Sequence, residues 1–130
     1  MIVIGTAAAA AGRRIDVPIQ NGRVAGRTDW LESGTDPSLS PTVVLVNLPP
    51  ASVLDTHFHR ENQFQLFVRG NGSIGPHAIS PLTVHYAGAY TGYGPLAAGS
   101  EGLSYFTIIP VFYTRAFFLP PAPSDMVLGP

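Results

Sequence analysis

Short apolar segments separated by glycine and proline make up most of the chain. The fourteen glycines and thirteen prolines leave little room for long helices, because each interior proline removes a backbone donor and clashes with the preceding helical turn. Many short strands joined by tight turns are typical of sandwiches and barrels. The pattern therefore predicts an all-β domain with strands at residues 14–19, 43–48, 52–57, 64–69, 82–86, 103–109 and 112–118.

Two local features refine this pattern. Residues 29–33 are the best helix candidate and extend for little more than one turn. The run Arg69-Gly70-Asn71-Gly72 predicts a tight reversal of the chain, because glycine and asparagine tolerate positive φ. We therefore expect the chain to turn back directly after the strand at 64–69.

The strand that begins near residue 63 has two chemically different faces. Period two places Gln63, Gln65 and Phe67 on one face, which is polar at its start and apolar at its far end. The alternate residues are apolar, and we expect them to pack against a second sheet. A barrel strand with this pattern can line a pocket on its polar side.

The length of 130 residues is that of one domain with a single hydrophobic core. We treat residues 1–130 as this domain, with an N-terminal strand or arm at 1–13 and a proline-rich C-terminal arm at 119–130. The net charge is −1, and the seven cationic residues are all arginine, spread along the chain and matched by eight carboxylates. A nucleic-acid partner is not expected, because it requires clustered positive charge.

Two residue types that carry chemistry are missing from the composition. The sequence has no cysteine and no lysine, which excludes disulfides, thiolate chemistry and Schiff-base catalysis. No apolar run approaches the ~18 to 20 residues that a membrane-spanning helix requires. We therefore expect no membrane partner and a cytoplasmic location.

The segment from His57 to Gln63 carries the residues best suited to bind a ligand. One residue separates His57 from His59, so an extended strand projects both imidazoles to the same side. Two such imidazoles can bind one metal ion at about 2.0 to 2.1 Å. Gln63 returns on the next strand and offers a third polar group. The open alternative is that both histidines are polar residues on a solvated face.

This segment resembles the first cupin motif, in which a His-x-His pair is followed by Glu and then by Gly. His57, His59, position 63 and Gly70 keep that spacing, and the resemblance covers roughly residues 43–110. It implies a cupin-type β-barrel (a jelly roll or double-stranded β-helix) of antiparallel strands. A site built from these side chains would suit a divalent transition metal, namely Fe, Mn, Ni or Zn.

The sequence departs from the cupin pattern at three places. Gln63 replaces the glutamate, and a neutral amide binds a hard cation more weakly than a carboxylate does. Ala51 stands where a glycine usually precedes the first histidine. The second motif, Pro-x-Gly-x-x-His, lacks its histidine in the corresponding residues 92–99. Another residue would therefore have to complete a metal site.

His85, on the strand expected at 82–86, is the candidate for a fourth metal ligand or for an acid–base group. Gln65 and Tyr105 are the further catalytic candidates. Each of the three also has a structural interpretation: His85 as a satisfied barrel histidine, Gln65 as a hydrogen-bonded link between strands, and Tyr105 as a core aromatic residue.

Three loop residues complete the set of candidates. Glu61 lies in the expected turn between two strands and could supply the missing carboxylate. Tyr90 and Tyr93 neighbour glycine and threonine in a probable loop. We expect their hydroxyls to be exposed and to cap the barrel mouth.

Two functional hypotheses follow from these residues. The first is a small metal-dependent enzyme, an oxygenase, isomerase or cyclase, that acts on an oxygen-bearing hydrophobic, aromatic or polyketide-like molecule inside the barrel. The alternative is a metal-free binding module for an apolar small ligand or a protein partner, which Gln63 and the missing histidine favour.

A third possibility is a chiefly structural role in an assembly. The low charge leaves apolar surface that a dimer interface could bury. We predict a homodimer, formed by sheet packing or by exchange of the C-terminal arm.

Overall fold

The computed structural model describes residues 2–31, 41–111 and 116–118, together with the backbone of 127–128. Within this part of the chain, β-strands dominate and the α-helix that occurs is short. The strands are β1 (Arg14–Pro18), β2 (Val24–Asp29), β3 (Thr42–Leu48), β4 (Val53–Leu54), β5 (His57–His59), β6 (Gln63–Ile74), β7 (His77–Ile79), β8 (Thr83–Ala87), β9 (Thr91–Gly92), β10 (Leu96–Ile109), β11 (Ala116–Phe118) and β12 (Val127–Leu128).

One large sheet contains most of these strands. Its order is β1-β2-β3-β10-β6-β7, with β4 paired to β10 and β8 paired to β6. Two smaller pairs join it, an antiparallel β11-β5 and a parallel β12-β9. The long strands β6 and β10 therefore form the centre, and they fix the register of the strands on either side.

The core lies on one face of this central pair. Phe67 on β6 and Tyr105 on β10 are directly opposite each other in the register, and their ring centroids are 5.0 Å apart. Leu96, Leu103 and Phe67 are buried in the same cluster. Alternation puts Phe67, Leu103 and Tyr105 inside because neighbours in a strand point to opposite faces. Leu96 joins the same cluster across the register shift between Ala98 and Leu103.

The predicted turn at Arg69-Gly70-Asn71-Gly72 is wrong, because β6 continues through it to Ile74. Gly70 does use a positive φ of 79°, but it does so inside the strand. A Cβ on Gly70 would clash with the carbonyl oxygen of Gly102. The pairing of β6 with β10 shifts register at this point, as expected for a bulge, which bends and twists a strand. The reversal follows Ile74, at Gly75 and Pro76.

The N-terminal segment differs from the strand or arm that we expected. Ala7–Ala10 form one helical turn, and the side chain of Thr6 accepts a hydrogen bond from the Ala9 amide at 3.1 Å. A run of alanines after a capping threonine favours this helix. The helix expected at residues 29–33 is also wrong at its start, because Asp29 ends β2.

Other strand predictions are confirmed with changed bounds. The segment expected at 52–57 is divided into β4 and the start of β5, and β2 was not predicted at all. Residues 112–115 of the last predicted strand lie outside the described residues. So does the C-terminal arm at 119–130, apart from the backbone of β12, which pairs with β9 of the same chain.

Candidate functional site

The two histidines of the His-x-His segment lie on β5 and point to the same side. Their ring centroids are 5.2 Å apart, and both side chains are buried. Phe58, between them, is fully buried on the opposite side and stacks on Phe117 at 5.1 Å. This short strand is held by its pairing with β11 and by two backbone hydrogen bonds between His57 and Tyr93. The solvated-face alternative for these histidines is therefore wrong.

The polar side chains of β6 face the same interior. Gln63 is 1% exposed, Gln65 is 2% exposed and Phe67 is 0% exposed, whereas Phe64 is 49% exposed. The period-two prediction for the inward face is confirmed, whereas the expected packing of the alternate residues against a second sheet is wrong at Phe64, which is half-exposed. Two buried amides thus stand beside the two imidazoles, and each must find hydrogen-bond partners inside the protein because burying an unpaired polar group costs free energy.

The hydroxyl group of Tyr93 lies at the centre of these side chains. It is 3.0 Å from Nε2 of His57, 2.6 Å from Nε2 of Gln63 and 3.1 Å from Nε2 of Gln65. Tyr93 is itself only 8% exposed. The expectation that this tyrosine is exposed at the barrel mouth is therefore wrong: its ring fills the space between the β5 histidines and the β6 amides.

The direction of each hydrogen bond follows from its partners. Nδ1 of His57 lies 2.8 Å from the backbone carbonyl oxygen of Asp55, which can only accept, so Nδ1 carries the proton. Nε2 of a neutral His57 is then an acceptor for the Tyr93 O–H. The amide groups of Gln63 and Gln65 donate to the same hydroxyl oxygen. This pattern of donors and acceptors fits a neutral His57.

Burial favours this neutral form. Removal from water lowers the pKa of His57, and the hydrogen bond to Asp55 opposes that effect only in part. Desolvation also lowers the pKa of His85, with a further contribution from repulsion by His77. A charged imidazole is disfavoured where water cannot solvate it. Both histidines are therefore biased toward their neutral forms at neutral pH.

The network continues from Gln65 to His85. The two residues are directly opposite in the pairing of β6 with β8, and the side-chain oxygen of Gln65 accepts a hydrogen bond from Nδ1 of His85 at 2.8 Å. The interpretation of Gln65 as a link between strands is supported, since its amide joins Tyr93 to His85. The side-chain oxygen of Gln63 is buried and has no partner among the described residues.

A cavity of about 320 Å³, here called the first cavity, opens beside this network. His57, His59, Gln65 and Tyr93 supply its polar wall, and Arg27 contributes a partly exposed guanidinium. Aliphatic and aromatic side chains make up most of the remaining wall. They include Val17, Ile19, Val44, Val46, Leu48, Leu54, Tyr105, Ile109 and Phe118.

The predicted site residues are only partly brought together. Tyr105 and Gln65 line the first cavity with the two β5 histidines. His85 lines a second cavity of about 340 Å³, on the other side of Tyr93. Gln63 lines neither cavity and reaches the site through its hydrogen bond to Tyr93. The proposed grouping of His85 with the β5 histidines around one ion is not found.

The residues present do not fit the implied metal ion well. No group of three or more His, Cys, Asp or Glu side chains within the described part of the chain is placed to hold one ion. Among the described residues that line the two cavities there is no carboxylate, so Glu61 does not supply one. A buried divalent cation would lack compensating negative charge. The side chains of His57, Gln63 and Gln65 instead converge on the hydroxyl group of Tyr93. We therefore derive no chemical step through a metal.

The sequence pattern indicated Tyr93 only as an exposed residue at the barrel mouth, and it gave no indication of Arg27. Tyr93 falls within residues 92–99, the segment in which the second-motif histidine was sought. Its place in that segment, close to the expected second motif, was the available signal. Arg27 was missed because β2 contains Gly26 and polar residues that weaken the strand pattern.

Comparison with known proteins identifies the architecture. Neither a protein-family model nor a curated protein matches the sequence. A cupin-2 domain protein of Rhodospirillum rubrum superimposes with a TM-score of 0.63 at 15% identity, over 81% of this chain and 73% of that chain. The chain has the cupin fold. The all-β cupin prediction is therefore confirmed.

Cupins with named activities give similar superpositions. A predicted oxalate decarboxylase of Thermotoga maritima has a TM-score of 0.61 at 14% identity, over 86% of this chain and 100% of that chain. The polyketide cyclase RemF of Streptomyces resistomycificus has a TM-score of 0.57 at 10% identity, over 73% of this chain and 70% of that chain. Such low identities establish the fold and leave the activity to be argued from the site.

A separate observation concerns membranes. Among the described residues, no helix has the length and apolar character needed to cross a bilayer.

Proposed function

We propose that the first cavity binds a small, largely apolar organic molecule with one hydrogen-bonding oxygen, and that it does so without a metal ion. The observation that carries this proposal is the Tyr93 hydroxyl, which takes the central position among His57, Gln63 and Gln65 in the wall of an apolar cavity. Cavities with an apolar wall and a few convergent polar groups are typical small-molecule sites.

The chemistry of the wall suggests how such a ligand would be oriented. A carbonyl or hydroxyl oxygen would lie toward the polar wall, where the Arg27 guanidinium carries N–H donors, and the hydrocarbon part would contact residues such as Val46 and Ile109. A volume of about 320 Å³ is near the lower end for ligand sites. The proposed ligand class is therefore a compact aromatic or polyketide-like molecule.

A metal-free isomerase or cyclase is the second candidate function. The observation that favours it is the neutral His57, whose Nε2 accepts the Tyr93 O–H at 3.0 Å. The Tyr93 oxygen would take a proton from a substrate as its own proton passes to Nε2 of His57. The reverse transfer would return a proton at another atom of the substrate, with no oxidant or reductant. The metal-dependent enzyme expected from the sequence is the remaining alternative.

Ligand-detected NMR with a panel of small phenols and aromatic ketones tests the binding proposal. Val46→Phe places a larger side chain in the first cavity and should abolish the binding. Val43→Phe makes the same change on the same strand, but at a position that does not line the cavity, and it should leave the binding unchanged. Equal binding by both variants would contradict the proposal.

Metal analysis separates the metal-free proposal from the metal-dependent enzyme. Protein purified without added metal is compared with the His57→Ala and His59→Ala variants. We expect less than stoichiometric metal in all three proteins. One equivalent of Fe, Mn, Ni or Zn that both variants lose would overturn the metal-free assignment.

We further propose that the protein forms a homodimer through the face of the sheet opposite the site. Cross-strand register places apolar residues from four neighbouring strands on this outer face. Phe64 is 49% exposed, Tyr86 is 53% exposed and Val84 is 61% exposed. A contiguous apolar sheet face in water is a typical interaction site.

A cytoplasmic location stays a prediction from the sequence.

A further inference from the structure

The second cavity, on the far side of Tyr93, has a different chemical character from the first. Its wall includes His77, His85, Thr56 and Thr91, together with the ring of Tyr93. Its volume of about 340 Å³ is within the range of ligand sites. The first cavity is mostly aliphatic, whereas imidazole and hydroxyl groups converge on the second.

Both histidines come from strands that pair with β6. His77 begins β7, which pairs with the C-terminal end of β6, and His85 lies on β8, which pairs with its N-terminal half. The register shift near Gly70 separates these two halves, and a bulge of this kind bends a strand. The two imidazoles thereby line one cavity although their strands pair with different ends of β6.

Hydrogen bonding leaves one nitrogen of His85 for a ligand. Nδ1 donates to Gln65, and it carries a proton in both the neutral and the charged imidazole. Among the described residues, no hydrogen bond reaches Nε2 of His85. Protonation at Nε2 would therefore add a donor without disturbing the link to Gln65 and Tyr93.

The side chains that line this cavity suit an anion better than a cation. The titratable side chains in its described wall are His77, His85, Tyr86 and Tyr93, and neither a carboxylate nor an arginine is among them. The charged forms of His77 and His85 repel each other, which contributes to the lowered pKa of His85. A negative group between the two imidazoles would remove this repulsion and accept hydrogen bonds from both.

We propose that the second cavity is a binding site for a small oxyanion, a carboxylate or a phosphate, held by His77 and His85 with help from the hydroxyls of Thr56 and Thr91. This site is separate from the apolar first cavity, and it does not depend on the function proposed there. The ring of Tyr93 contributes to the walls of both cavities.

Titration with inorganic phosphate and with acetate, at pH values between about 5 and 7 on either side of the ordinary histidine pKa, tests the proposal. Amide resonances of Gly75, Thr91 and Gly92, which line the cavity, should shift in a saturable manner at constant ionic strength. Saturation by phosphate alone would identify a phosphate site, and saturation by both probes would identify a general oxyanion site.

The double variant His77→Ala/His85→Asn is the critical comparison. The asparagine retains an N–H that can donate to Gln65, so the network around Tyr93 should persist. Loss of the hydrogen bonds from both imidazoles should weaken binding by about tenfold or more. Arg69→Ala removes one positive charge from an exposed position of β6 outside the cavity and should change binding less than about twofold.

Two outcomes would overturn the oxyanion site. One is an affinity in the double variant equal to that of the parent protein, with a well-dispersed NMR spectrum as evidence that the variant is folded. The other is the absence of saturable shifts with both probes in the parent protein.

Discussion

At the scale of single residues, removal of the Tyr93 hydroxyl has the largest expected effect on the free energy of unfolding. Tyr93→Phe would remove the acceptor for two buried amide N–H groups and the donor to His57 Nε2. Leaving buried polar groups unpaired costs more than the hydrogen bonds contribute. We expect the free energy of unfolding to fall by about 3 kcal/mol, measured by urea denaturation.

A second tyrosine in the same segment provides the matched control. Tyr90 is half-buried, and its ring lies 6.1 Å from Phe58. Tyr90→Phe makes the same chemical change outside the network and should alter stability by less than about 0.5 kcal/mol. Equal losses for the two variants would contradict the central role of Tyr93.

The lowered pKa of His57 predicts how stability depends on pH. The folded protein holds His57 neutral, whereas the unfolded chain takes up a proton at the ordinary pKa of about 6.5. This contribution to stability is therefore fully present above that pH and is lost as the pH falls from about 6.5 toward the lower folded-state pKa. The loss is at most about 1.4 kcal/mol per pH unit for each such histidine.

Denaturation curves at a series of pH values measure this slope. His57→Asn removes the titrating group and should flatten the dependence below about pH 6.5. His85→Asn should remove a separate part of the pH dependence of stability, because burial also lowers the pKa of His85. A parent slope that neither variant changes would show that other groups control the acid stability.

At the scale of elements, the pairing of β6 with β10 depends on glycine at the register shift. Gly70 combines a φ of +79° with an approach to the Gly102 carbonyl oxygen that leaves no room for a Cβ. Gly70→Ala should lower the free energy of unfolding by about 2 to 3 kcal/mol, from backbone strain and the clash. Thermal or urea unfolding measures the loss.

Gly12→Ala is the control for this substitution, because a Cβ at Gly12 meets nothing within 4 Å. We expect a change of less than about 0.5 kcal/mol there. An equally small effect of Gly70→Ala would contradict the prediction. It would mean that β6 and β10 can move apart at Gly70 without loss of packing.

The same pairing of β6 with β10 explains why the turn predicted at Gly70 is wrong. The sequence pattern correctly indicated that Gly70 requires positive φ, but positive φ serves equally in a turn and in a bulge. The choice was decided by β10, whose residues pair with β6 on both sides of Gly70. The residue that faces Gly70 is Leu103, 33 positions further along the chain, and a partner at that distance leaves no trace in the local pattern.

At the scale of the whole molecule, the outer face predicts self-association. Sedimentation at tens of micromolar should detect a homodimer, and Val84→Lys should shift it to monomer because a charge would be buried in the interface. Val24→Lys, at an apolar position that is 47% exposed on β2, should leave the dimer intact. A monomeric parent protein would contradict the proposal.

Local sequence determined the strand-rich class, the shared side of His57 and His59, and the inward face of Gln63 and Gln65. These features follow from alternation within single strands, which needs no knowledge of distant residues. They also sufficed to indicate the cupin resemblance.

Tertiary structure alone decided what those side chains meet. Tyr93 lies 36 residues from His57 and 30 from Gln63, and only the packing of its segment against β5 puts its hydroxyl between them. The same packing separates His85 from the first cavity and assigns it to the second. Contacts between distant segments depend on strand register and loop paths, which the alternation of a single strand does not encode.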